Sequence, residues 1–325
     1  MGFEKIKKLS VSILAVSLIF TAGRINASEL RLGMAEKQQY IGNKIYNVLH
    51  PSSDSKPYKF EAPEGWTLEN LTLGNVSVER LKAEKPKTAR VIIQFHGGGY
   101  VNGLSEGHRL LGADQGMLIG ASEVYYVHYR LAPKNVYPAA LEDAAAVYRE
   151  LLSSGVKPEN IIFVGDSAGG NLALELSLYL KEQKLSQPAA LVLISPWGTF
   201  EQTAPSRIKN SERDLVLGIK GFPLYQEVQV RKPSYAGDMK LDDPKLSPVY
   251  ADLRGLPPML IQIGGYELFV DDGISLLQRA LSDDIEATLT VYPGMPHDFP
   301  LLLPELYESE LSLKEFSDFI NRYLK

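Results

Sequence analysis

From about residue 89 onward, short apolar runs alternate with amphipathic stretches, and this alternation predicts the fold. Segments 90–95, 124–129, 161–164, 190–194, 259–263 and 287–292 are rich in Val, Ile, Leu and Tyr. Most are continuous rather than alternating in character, the pattern of strands covered on both faces. Between them, segments 139–153, 171–181, 273–281 and 313–323 repeat apolar residues near the helical period of 3.6. Strands alternating with helices imply an α/β fold with a mainly parallel sheet and helices on both sides. Two regions fall outside the pattern. Residues 28 to about 85 are polar and irregular, broken by Pro51, Pro57 and Pro63, with one short helix predicted near 35–46. Residues 199 to about 240 mix Pro, Gly and scattered aromatics and read as an insertion above the sheet.

Composition narrows the function by exclusion. The net charge is −5 with no basic stripe, which argues against a nucleic-acid partner. The chain has no cysteine, so disulfides and Cys-based metal or thiol chemistry are excluded. At the N-terminus, Lys5, Lys7 and Lys8 precede an apolar run from Leu9 to Ala22, and Ala27 is a small residue suited to cleavage. This layout predicts a secretory leader over residues 1–27 and an exported mature chain. The run is shorter than the roughly 20 residues of a membrane span, although an uncleaved leader would anchor the protein.

The segment Ile161-Ile162-Phe163-Val164-Gly165-Asp166-Ser167-Ala168-Gly169 has the form G-x-S-x-G between a predicted strand and a predicted helix. That context puts Ser167 on a tight turn, with the two glycines giving clearance for a strained, exposed nucleophile. Upstream, His96-Gly97-Gly98-Gly99 follows directly on a strand. Consecutive glycines let backbone N–H groups approach a developing oxyanion, so Gly98, Gly99 and Ala168 are the expected donors. No Gly-Lys-Ser/Thr follows, which excludes a phosphate-binding P-loop.

A serine nucleophile needs a base. His50 lies in the polar N-terminal region, His96 in the glycine loop, His108 in a predicted loop and His128 in a predicted strand. His297 follows the last strand and comes last in the order Ser, acid, His used by this kind of fold. His297 is therefore the expected base. The acid is expected in the loop after 259–263, where Glu267 lies nearest the strand end. Asp271 is the alternative, and helix capping would equally explain both it and Asp272. His96 and Asp166 are expected to support the glycine loop and the elbow.

These motifs, with Tyr129-Arg130-Leu131-Ala132-Pro133 and Tyr292-Pro293-Gly294-Met295-Pro296-His297, resemble the hormone-sensitive-lipase group of α/β-hydrolase esterases, in its G-D-S-A-G branch. The resemblance runs over about residues 89–325. It implies an eight-stranded, mostly parallel sheet and a cap built from residues 28–85 and 199–240. It further implies hydrolysis of short- to medium-chain esters through an acyl-enzyme, without a cofactor. The family's usual Asp aligns with Glu267, which departs from the common pattern and fits a Gly-Gly-x-Glu branch. Lactone hydrolysis, sugar-ester deacetylation and a non-catalytic receptor on the same scaffold are the rival readings. Tyr100, Trp197, Phe222 and Tyr225 are candidates either for a substrate pocket or for plain packing. The base must be neutral, so activity is expected to fall as pH drops through roughly 6–7.

Overall fold

The computed structural model describes residues 30–49, 59–218 and 224–324. The leader-like segment, His50 and Phe222 lie outside them. The strands are β1 (Trp66–Leu73), β2 (Val76–Ala83), β3 (Val91–Phe95), β4 (Glu123–Val127), β5 (Ile161–Asp166), β6 (Ala190–Ile194), β7 (Met259–Gly264) and β8 (Ala287–Tyr292). They form one eight-stranded sheet in the order β1-β2-β4-β3-β5-β6-β7-β8. Pairing is parallel from β4 through β8, while β2 runs antiparallel to both of its neighbours.

The six strands expected from the apolar runs are all present, and β3, β5, β6 and β7 are buried along their whole length. Helices cover both faces. On one side, α2 (Glu106–Leu118) and α8 (Tyr307–Tyr323), the latter preceded by the short α7 (Phe299–Leu302), pack Ala113, Phe316 and Ile320 against Ile92, Val164 and Val192. On the other, α3 (Ala139–Ser153), α4 (Ala168–Glu182) and α6 (Val270–Ser282) pack Ala144, Leu172 and Leu276 against Ile93, Phe163 and Ile261.

Two elements correct the sequence reading. Residues 66–83 are not part of a cap but supply β1 and β2 at the sheet edge. Their turn is Gly74-Asn75, with φ of 56° and 68°, the two-residue hairpin geometry that glycine and asparagine tolerate. β1 is half exposed, so its apolar content is too thin to read as a buried strand. Residues 106–118, expected as loop, form α2, capped by the Ser105 hydroxyl. Gly112 and Gly116 weaken its helical signal, yet they lie where the helix meets Gln94, Tyr126 and Val124 of the sheet.

The cap consists of α1 (Met34–Leu49) and the segment after β6 that contains α5 (Pro205–Lys209). α1 rests on the chain between β8 and α8. Gln38 Nε2 donates to the Gly294 carbonyl at 2.6 Å, and Lys44 pairs with Glu305 at 2.5 Å.

Candidate active site

Parallel strands in register bring their C-terminal ends together. Phe95 lies opposite Gly165, Asp166 opposite Ile194, and Gly264 opposite Tyr292. The loops that follow β3, β5, β6, β7 and β8 therefore leave the sheet along one edge, as expected for an open α/β crevice. They carry His96–Gly99, Ser167, Ser195, Glu267 and His297 respectively.

Ser167 sits between β5 and α4 with φ 50° and ψ −117°, a conformation that costs a non-glycine residue on the order of 1–3 kcal/mol. The turn is held from β6 and beyond: Ser167 N–H donates to the Ile194 carbonyl at 2.9 Å, and Trp197 N–H donates to the Ser167 carbonyl at 3.0 Å. A Cβ on Gly169 would stand 1.9 Å from the Phe95 carbonyl oxygen, so only glycine closes this elbow against β3.

His297 Nε2 lies 2.9 Å from Ser167 Oγ, and both residues are buried. Phe269 packs nearly perpendicular to the imidazole with ring centroids 4.9 Å apart, and the Arg207 guanidinium stacks over the Phe269 ring at 4.5 Å. Of the competing acids, Glu267 faces the base: its Oε2 is 3.8 Å from His297 Nδ1. The same oxygen accepts the Ser195 hydroxyl at 2.6 Å and the Gly264 N–H at 3.1 Å. Asp271 instead accepts the Ser206 N–H at 2.7 Å, and Asp272 pairs with buried Arg207 at 2.9 Å. Those two carboxylates tie α5 and the cap to α6.

The glycine loop is braced from beneath. Asp166 Oδ2 accepts the Gly97 N–H at 2.9 Å and lies 3.2 Å from His108 Nε2. His96 binds the Gly97 carbonyl through Nδ1 at 2.7 Å and stacks on Tyr129. Burial, with His108 nearby, lowers the His96 pKa to about 3, so this ring is a neutral structural group. Gly98 and Gly99 have φ of 109° and 62°, and neither N–H enters a backbone hydrogen bond among the described residues. Ala168 is the first residue of α4, where the N–H has no helical partner. His128 lies just past β4 and binds Glu79 at 2.9 Å, a satisfied structural contact.

Two residues of the site were not anticipated. Asp298 places Oδ2 3.1 Å from His297 Nε2, and Ser195 links the acid to this loop by accepting the Asp298 N–H at 3.1 Å. The sequence signals were slight, a carboxylate directly after the histidine and a serine directly after β6. Burial would lower the His297 pKa, but Asp298 first and then Glu267 outweigh it and raise the value to about 9. That direction is upward from the ordinary imidazole value behind the acid limb expected at pH 6–7. Burial pushes Glu267 well above the usual carboxylate range, against the pull of His297 and the Ser195 hydroxyl. Tyr100 and Trp197 prove to be packing residues. Tyr100 stacks on Tyr235 at 3.7 Å and donates to Asn171, while Trp197 stacks on Phe200 at 4.2 Å. Tyr225 is half-buried.

The sequence profile of the alpha/beta hydrolase fold matches residues 92–301. The chain belongs to this family. Among curated relatives, an esterase of Acinetobacter venetianus is 33% identical over 278 residues, covering 85% of this chain and 89% of its own. An acetyl-hydrolase of Streptomyces hygroscopicus is 33% identical over 250 residues, covering 77% and 81%. Among solved structures, an esterase from the bacterial hormone-sensitive lipase family superposes with a TM-score of 0.78 at 29% identity, covering 90% of this hydrolase and all of the other chain. Another esterase, soaked with p-nitrophenyl butyrate, has a TM-score of 0.77 at 28% identity, covering 90% and 98%.

Proposed function

We propose that this hydrolase is a serine carboxylesterase acting on short- to medium-chain acyl esters. Ser167 is the nucleophile, His297 the general base and then acid, and Glu267 the acid that orients it. The observation that carries the reading is the 2.9 Å contact between Ser167 Oγ and His297 Nε2 on a strained strand-to-helix turn, beside the glycine loop.

In the proposed cycle, neutral His297 takes the Ser167 proton on Nε2 as Oγ bonds to the ester carbonyl carbon. The carbonyl oxygen becomes negative and is held by the N–H groups of Gly98, Gly99 and Ala168. Nε2–H then protonates the departing alcohol as its C–O bond breaks, leaving the acyl-enzyme. Water repeats both steps, and the carboxylic acid leaves with Ser167 restored. Glu267 stabilises the transient imidazolium through Nδ1. His96 and Asp166 act only by shaping the glycine loop.

The name of the Streptomyces relative and the butyrate ester given to the structural neighbour support a small acyl group here as well. The basic start, apolar run and small residue at Ala27 support export, with residues 1–27 as leader. N-terminal sequencing of the exported protein tests that point, and a start at Met1 would contradict cleavage.

The deciding experiment is hydrolysis of p-nitrophenyl acetate, butyrate, octanoate and palmitate by residues 28–325, beside Ser167→Ala. Turnover should be greatest on the shorter esters and fall at least about 10⁴-fold in the variant. Undiminished turnover in Ser167→Ala would reject the serine mechanism.

A further inference from the structure

The acyl-transfer cycle uses one partner at His297 Nε2, but the site holds two. Ser167 Oγ and Asp298 Oδ2 lie at nearly equal distances from this nitrogen, 2.9 and 3.1 Å. Asp298 is fixed in place. Its backbone stands in the left-handed region at φ 51°, and its N–H is anchored on Ser195 Oγ, which is itself bound to Glu267. Its side chain is almost wholly buried, and its Oδ1 has no hydrogen-bond partner among the described residues.

Building on the serine-esterase reading, we propose that Asp298 is a positioning residue that holds the protonated imidazole of His297 in a resting, non-basic state and so confines the enzyme to alkaline pH.

The chemistry follows from the two forms of the ring. In the imidazolium, Nε2 carries a proton that Asp298 accepts, a charge-assisted hydrogen bond in a buried site. In the neutral ring that can serve as base, Nε2 presents a lone pair, which a carboxylate repels. Asp298 therefore stabilises only the form that cannot take the Ser167 proton. Above the ring's pKa that hold is lost, and the lone pair is free for the serine hydroxyl.

The other groups facing the ring do not cancel this effect. Glu267 lies toward Nδ1 from the loop after β7, and Asp214, which accepts the neighbouring Leu268 N–H at 2.9 Å, is a further acidic group acting on the ring; burial pushes the pKa of both upward. Beyond Asp298 lie Asp166 at the end of β5 and His108 on α2. Asp166 already receives Gly97 N–H and His108 through Oδ2, and its Oδ1 is buried without a partner. The buried Arg207 guanidinium, stacked over the Phe269 ring, is paired with Asp272 at 2.9 Å. Acidic side chains thus surround the base, Asp298 the foremost of them, and burial, which favours the neutral ring, is outweighed.

The test is the pH dependence of kcat/KM on p-nitrophenyl butyrate, from about pH 5.5 to 10.5, for wild type, Asp298→Asn and Asp298→Gly. Asparagine keeps the shape of the side chain and tolerates left-handed backbone, and glycine adopts φ 51° without strain. In both variants the acid limb should move down by about 1–3 pH units. The profiles should therefore cross, with the variants faster than wild type near neutral pH and not faster at the alkaline end. A purely structural role would lower activity at every pH without moving the limb, and that result overturns the proposal. So does a wild-type limb at or below the ordinary imidazole value of about 6.5, with no variant needed. Retained turnover in Ser167→Ala instead defeats the underlying serine-esterase reading, so the two failures are distinct.

Discussion

Glu267 binds Ser195 and Gly264 with one oxygen and approaches His297 Nδ1 only to 3.8 Å, while that nitrogen has no hydrogen-bond partner among the described residues. Hydrogen bonds to a catalytic base tighten as charge develops in the transition state. Glu267→Gln should therefore lower kcat by about 10³–10⁴-fold with a small change in KM, since it removes stabilisation of an imidazolium that exists only during reaction. Asp271→Asn, which touches only a capping contact to Ser206, should cost less than about tenfold. Steady-state kinetics on one ester separates the two, and a larger loss in Asp271→Asn would move the acid there. The proposed nucleophile, base and acid could be picked out in the sequence because each belongs to a local motif or lies at a strand end. Asp298 and Ser195 could not, because their roles exist only where the ends of β6, β7 and β8 meet in space.

At the level of elements, hydrophobic runs identified every strand buried on both faces and failed where tertiary approach overrides local preference. α2 is the clearest case. Its glycines argue against a helix by about 1 kcal/mol each relative to alanine. They are there because a Cβ on Gly112 would stand 2.3 Å from Gln94 Oε1 and 2.7 Å from the Tyr126 ring. Two effects compete in Gly112→Ala. Helix propensity favours the alanine by about 1 kcal/mol, whereas overpacking a helix against a sheet typically costs about 1–3 kcal/mol. The contacts are short enough for overpacking to win, so the variant should unfold at lower urea concentration with an unchanged m-value. A stabilised variant would mean that α2 can lift from the sheet without penalty. The β1–β2 hairpin went unread for a different reason. Its edge strand alternates weakly, and the informative signal was the Gly74-Asn75 pair rather than any apolar run.

Across the whole molecule, α1 and the inserted segment brace the loops that carry the proposed acid and base. Asn210 Nδ2 donates to the Glu267 carbonyl at 2.9 Å, and the Ser206 hydroxyl donates to the Leu268 carbonyl at 2.7 Å, so the inserted segment fixes the acid's loop. α1 does the same for the base. It buries Ile41 and Ile45, joins Lys37 to Glu308, and holds the Gly294 carbonyl through Gln38, three residues before His297. Removing residues 1–27 leaves the α1 contacts in place, whereas removing residues 1–49 deletes them together. Each buried isoleucine contributes on the order of 1.5–3 kcal/mol, and the ion pair of half-exposed Lys44 adds little to that. The shorter chain should therefore lose several kcal/mol of stability. Its kcat should fall more than the stability loss explains at a temperature where both chains remain folded, because the 293–297 loop has lost its outer support. Thermal melts and kinetics on the two truncations measure both effects. Equal melting temperatures and equal kcat would show that α1 is only a lid, and that the β8-to-α8 connection positions His297 without it.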